Sequence, residues 1–146
     1  MDHKILPQTN CPLVIRTDFE NQQVWKKICK LINAPVPSPV DEPFYAYVQF
    51  LDDKDFRGLS MEDLLTRVPT NYKHSFLLVV DSATFAHPEF PILVVQLRGA
   101  RGRNFRAIPT AIQAIENNLS IANMDFFEFA NAAGSDGIFR GFQSRK

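Results

Sequence analysis

The sequence predicts a mixed α/β domain: one central sheet of about five strands, part parallel and part antiparallel, with helices on both faces, in the order β-α-β-α-β-β-β-α-α. Three observations predict it. Short apolar runs, continuous at Leu13–Ile15 and Phe76–Val80 and broken only by Gln96 at Ile92–Leu97, suit strands, the first two covered on both sides. Segments with apolar residues at helical spacing lie between the early runs, which argues for a parallel βαβαβ unit. The later runs follow one another through turn residues, which argues for antiparallel additions.

Residues 1–12 are polar, end in Pro12 and are read as an N-terminal arm; residues 13–142 form the single globular domain and 143–146 a C-terminal tail. Asp18–Asn33 is a helix, with Val24, Trp25, Ile28, Leu31 and Ile32 on one stripe and Lys26, Lys27 and Lys30 off it. Thr17 with Glu20 has capping-box spacing, and Asp18 is an alternative N-cap. Residues 34–43 hold four prolines, so they form a stiff extended crossover over the surface. Phe44–Leu51 has strand composition, with Phe44, Ala46, Val48 and Phe50 on one face.

Ser60–Val68 is a short helix with Ser60 as N-cap, Leu59 and Leu64 at staple positions, and Pro69 as its stop. The Phe76–Val80 and Ile92–Leu97 strands follow. Arg98–Gly102 is a hairpin turn into a fifth strand, Asn104–Ile108. Two helices close the domain. One starts at a Thr110/Gln113 capping box and buries Ile112, Ile115 and Leu119; the next starts at an Asp125/Glu128 box with Met124 and Phe129 as staple. Gly134 stops the last helix. Ile138, Phe139 and Phe142 are too apolar for a free tail, so the chain is expected to fold back and dock them, leaving only Gln143–Lys146 loose.

A chain of 146 residues with 45% hydrophobic content and 13 Phe buries enough surface to fold without a disulfide or metal. Its 16 basic and 16 acidic residues cancel, so no global charge pulls it toward nucleic acid or an anionic membrane. Cys11 and Cys29 are too few for a disulfide scaffold and read as reduced, buried thiols. The N-terminus lacks an apolar core of signal-peptide length, and no apolar run is long enough to span a bilayer. A soluble, cytoplasmic protein is the expectation.

Arg16-Thr17-Asp18-Phe19, Phe76–Asp81, the block Glu116-Asn-Asn-Leu-Ser-Ile-Ala-Asn-Met-Asp-Phe126 and the closing Gly137-Ile-Phe-Arg-Gly-Phe142 carry a resemblance over residues 13–142. The chain resembles a family of small bacterial proteins known only as a domain of unknown function. The resemblance implies a single-domain cytosolic bacterial protein and supplies no activity, ligand or site.

Chemistry is therefore read from the residues. In a parallel arrangement the strand ends at Asp18, at Asp52 and Asp53, and at Asp81 lie along one sheet edge, where ligands of open α/β sheets bind. Converging carboxylates there would hold Mg²⁺ or Ca²⁺, or act as acid and base; capping and solvent exposure explain them without a ligand, and that reading is preferred. Arg16, at the end of a buried strand, needs an anion: a ligand, or a carboxylate of the fold such as Asp81 or Glu116, the internal pair being preferred. Arg16, Asp18, Asp52, Asp53 and Asp81 are the candidate ligand-binding residues.

The basic hairpin (Arg98, Arg101, Arg103, Arg106, with Phe105 between) has the composition of a nucleic-acid grip, but it is short and Phe105 faces opposite to Arg106, so a solvated hairpin is preferred. His3, His74 and His87 have no zinc spacing, and no serine sits in a nucleophile elbow. Asn117, Asn118 and Asn123 are read as closing the bend between the last two helices. No catalytic residue, metal set or cofactor is assigned. The function expected is a non-enzymatic binding or interaction module, with a protein partner or a second copy in view; the competing reading is a small divalent-cation-dependent enzyme using the strand-end carboxylates.

Overall fold

Alternation along the strands divides the core in two, because successive side chains leave a strand on opposite faces. The computed structural model describes residues 3–142. Its sheet has six strands: β1 (Leu13–Arg16), β2 (Gln49–Leu51), β3 (Phe76–Val80), β4 (Ile92–Gln96), β5 (Asn104–Ala107) and β6 (Ile138–Phe139), in the spatial order β2-β1-β3-β4-β5-β6. Val14, Leu78, Val80, Val94 and Phe105 point to one face, where they meet Trp25, Ile28 and Ile32 of α1 (Gln22–Asn33). Ile115 of α4 (Ile112–Ser120) and Phe126 and Phe129 of α5 (Phe126–Ala132) complete that layer. Leu13, Ile15, Leu77, Val79 and Val95 point to the other face, against Phe56, Tyr72 and Leu64 of α2 (Met61–Leu65). The mixed sheet with helices on both faces is thus present.

β1 pairs in parallel with both β2 and β3, β3 with β4 and β4 with β5 are antiparallel, and β6 returns parallel to β5. The chain leaves β1 through α1 to β2 on one side, then crosses back through α2 to β3 on the other. The two crossovers run in opposite directions, and α1 and α2 lie on opposite faces, as the right-handed rule for parallel connections requires.

Several local expectations are corrected. The sheet gains β6, because Ile138 and Phe139 pair with Arg106 and Ala107 at an edge that would otherwise stay open. Phe139 is fully buried against Phe129, with ring centroids 5.3 Å apart, whereas Phe142 is half exposed and touches the same rings from outside. A further helix, α3 (Ser82–Ala86), follows β3. α1 starts at Gln22 rather than Asp18: neither Thr17 nor Asp18 caps it, because Asn21 does, its side chain accepting the N–H of Val24 at 3.1 Å. Thr110 and Gln113 form no capping box, since Pro109–Ala111 makes a tight 3-10 turn that runs directly into α4. Ser60 caps α2 as expected, in a box completed by Asp63, but the helix ends at Leu65. Asp125 stands as N-cap of α5, its N–H held by Glu128 Oε2 at 2.8 Å. The N-terminal segment does not stand off: Leu6 and Thr9 are buried, and the Leu6 N–H donates to the Arg67 carbonyl. The expected looseness of 143–146 falls outside the described residues.

The largest difference is the segment 44–48, which is not strand. Phe44 makes an isolated bridge to Val36, and β2 begins only at Gln49. The backbone in between is satisfied by side chains of α4. The buried Glu116 accepts the Tyr47 N–H at 2.7 Å, and Asn117 Nδ2 donates to the Tyr45 carbonyl at 2.9 Å. Main-chain groups claimed by a helix cannot also pair with a strand.

Candidate functional site

A sheet whose connections run to opposite sides of β1 leaves a crevice where they diverge, between the carboxyl ends of β1 and β3. Such a crevice is present, with a volume of about 400 Å³. Thr17, Asp18 and Glu20 after β1 line one side, Asp81 and Ser82 after β3 another, and Arg57 and Ser60, ahead of α2, a third. Of the five candidate residues, the fold brings two, Asp18 and Asp81, to this crevice.

Asp81 is the most constrained. Its side chain caps α3, accepting the Thr84 N–H at 3.1 Å, and the Asp81 N–H donates back to Thr84 Oγ1. Arg106 on β5 then grips both carboxylate oxygens, Nη1 to Oδ1 at 2.9 Å and Nη2 to Oδ2 at 2.8 Å. Burial pushes the Asp81 acid up, but the Arg106 fork and the Thr84 donors outweigh it and hold the carboxyl below its usual range. Asp18 accepts the Glu20 N–H at 2.8 Å. Among the described residues, no cation lies within 4.0 Å of Asp18 or Glu20.

The remaining candidates are turned elsewhere. Arg16 is buried and forms an internal pair, but with Asp52 and not with Asp81 or Glu116: Nη1 reaches Asp52 Oδ1 at 3.2 Å and Gln22 Oε1 at 2.7 Å, and Nε donates to the Asp18 carbonyl. Phe19 and Trp25 close over the guanidinium, 4.4 and 5.1 Å from ring centre to Cζ. Asp81, at the end of the neighbouring strand β3, is held by its own arginine, Arg106, and Glu116 is spent on the 44–48 backbone; hence the different partner. Asp53 binds Lys4 at 2.5 Å, which holds its carboxyl low, and it caps the 3-10 turn Lys54–Phe56. Among the described residues no group of three or more His, Cys, Asp or Glu is placed to hold a metal ion.

The family model described as a domain of unknown function, DUF6924, matches residues 11–142. The chain belongs to that family. No curated protein and no solved structure is similar enough to add to it. In this DUF6924 chain no helix among the described residues is long and apolar enough to cross a membrane.

The other sequence features of this DUF6924 chain resolve as structure. Three of the four hairpin arginines are committed: Arg98 to the carbonyls of Tyr72 and Lys73, Arg101 to those of Leu65 and Leu97, and Arg106 to Asp81. Asn118 closes the α4–α5 bend, its carbonyl accepting the Asn123 N–H at 2.9 Å and its Oδ1 the Asn123 side chain at 2.8 Å. Both cysteines are free and only partly buried, against the expectation of full burial. Burial and, next, the negative charge of Asp52 push the Cys29 thiol up to about 12, so it is no thiolate nucleophile near neutral pH. Sequence reasoning missed Glu20, Arg57 and Ser82 as crevice residues. Ser60 was visible as a cap, but nothing local shows that α2 begins beside the end of β3.

Proposed function

We propose that this protein is a non-enzymatic binding module whose ligand-facing edge is the crevice between the ends of β1 and β3. One observation carries the reading. The crevice sits at the switch point of the sheet, and the strand-end aspartates do not converge there as a metal set. Asp52, Asp53 and Asp81 are each neutralised by a cation of the fold, so three of the four carboxylates that the cation-dependent enzyme requires are already spent. Asp18 and Glu20, with the hydroxyl of Ser82, remain to accept and orient hydrogen bonds from a small polar ligand carrying amine or hydroxyl donors. A bacterial cytosolic setting belongs to the same reading; the two unpaired cysteines support it, because thiols stay reduced there.

Thermal unfolding with Mg²⁺, Ca²⁺ or Mn²⁺ and with the diamine putrescine tests the proposal. Saturable stabilisation by putrescine that disappears in Asp18→Asn supports it. Saturable stabilisation by a divalent cation that disappears in the same variant overturns it in favour of the enzyme.

A further inference from the structure

We propose a second ligand site, beyond the switch-point reading, at the opposite edge of the sheet: the cavity between the start of β3, the end of β4 and the α4–α5 turn, taking a small organic anion with an apolar body, such as an aromatic carboxylate. The cavity measures about 320 Å³. That is the low end for small-molecule sites. Its apolar wall is made by Phe76, Leu119, Met124 and Phe126. The thioether of Met124 adapts to an inserted ring.

The polar wall sets the sign. Lys73 and Arg98 line it, and among the described residues neither lies within 4.0 Å of a carboxylate. Arg98 is held in place by Nη2, which donates to the Lys73 carbonyl at 2.7 Å and the Tyr72 carbonyl at 3.3 Å. Its Nε and Nη1 have no acceptor among the described residues. The His74 ring is fixed by Nε2, 2.8 Å from the Thr9 carbonyl, and by the edge of Tyr72, with centroids 5.2 Å apart. A carbonyl only accepts, so Nε2 carries the proton. Asp125, the N-cap of α5, is the single carboxylate on the wall, against Lys73 and Arg98.

Gln96 also lines the cavity, and its Nε2 donates to the Arg98 carbonyl at 2.6 Å, which holds the backbone that carries the guanidinium.

Phenylacetate, its neutral counterpart phenylethanol and inorganic sulfate separate the components, read by backbone amide shifts of the full chain. Expected are saturable shifts at Ser75, Gln96 and Ala122 with phenylacetate, a Kd on the order of 1 mM or tighter, and at least about tenfold weaker binding of phenylethanol and of sulfate. Lys73→Gln, at an exposed side chain with no hydrogen bond of its own among the described residues, should weaken phenylacetate about tenfold and leave the unfolding midpoint unchanged; Asp18→Asn should leave binding intact. Arg98→Gln loses two contacts to the chain, so it is read only if its amide spectrum stays native. Shifts confined to other surfaces, equal affinity for phenylethanol, or indifference to Lys73→Gln overturns the proposal.

Discussion

Arg106 and Asp81 join the two halves of the sheet: a guanidinium on β5 forks onto the carboxylate that ends β3 and caps α3, with both N–O distances under 3 Å. Each side chain is about a quarter exposed, so the pair sits between a solvated and a buried ion pair. Asp81→Ala removes the pair and the cap together and is expected to cost about 2–3 kcal/mol. Arg106→Lys, which keeps the charge and loses the fork, should cost about 1 kcal/mol. Urea midpoints of the two variants check the order; equal midpoints would show that the fork contributes nothing beyond charge.

The same pair sets an acid dependence. Asp81 titrates below its ordinary range in the folded chain. Its contribution is therefore fully present above the unfolded carboxyl pKa of about 3.9 and is lost as pH falls through the lower, folded value. Wild type should lose stability more steeply than Asp81→Asn below about pH 4. Parallel curves of midpoint against pH would assign the acid transition to other groups, such as Glu89 and Asp136, which Arg140 also holds low.

Glu116 ties the 44–48 segment to α4 through the Tyr47 N–H, and its other oxygen accepts the Ser120 hydroxyl at 2.7 Å. Glu116→Gln keeps an acceptor for Tyr47, and Ser120 can turn to accept from the new amide, so it should cost under about 1 kcal/mol. Glu116→Ala leaves the Tyr47 N–H unpaired and should cost about 2–3 kcal/mol. The exposed Phe44, Tyr45 and Tyr47 make chymotrypsin the probe: cleavage there should accelerate in Glu116→Ala only, and equal rates in both variants would remove the latch.

Ala122→Gly inverts the usual penalty. Asn123 and Met124 both donate backward to the Asn118 carbonyl, which forces Ala122 into left-handed backbone at the end of α4. Glycine relieves about 1 kcal/mol of strain and offsets it with a more flexible unfolded chain. A thermal midpoint equal to or above wild type is expected; a loss of about 1 kcal/mol, as in an ordinary helix, would contradict it.

Trp25 is buried on α1, edge-on to Phe50 at 5.9 Å and beneath the Arg16 guanidinium. Trp25→Ala should cost about 3–5 kcal/mol. A red-shifted, readily quenched native fluorescence would show the ring to be in water instead.

Periodicity by itself determined the class of this fold. The runs at Leu13, Phe76 and Ile92 became β1, β3 and β4, and the stripe through Trp25, Ile28 and Ile32 became the buried face of α1, because burying those groups outweighs other local preferences. Caps were legible where one side chain had an unambiguous partner three residues on, as at Ser60, and failed at Thr17 and Thr110, where Asn21 and Pro109 offered competing starts. Phe44–Val48 has the composition of a strand yet is claimed by Glu116, some seventy residues away, so no window of sequence could exclude pairing. The candidate site divides in the same way. That aspartates follow the strands was visible, and so was the need of Arg16 for an anion. Which aspartate meets which cation was decided by the crossing of the chain from β2 over β1 to β3 and by the placing of β5 two strands away, since ion pairs depend on distance in space, and only the assembled sheet sets those distances.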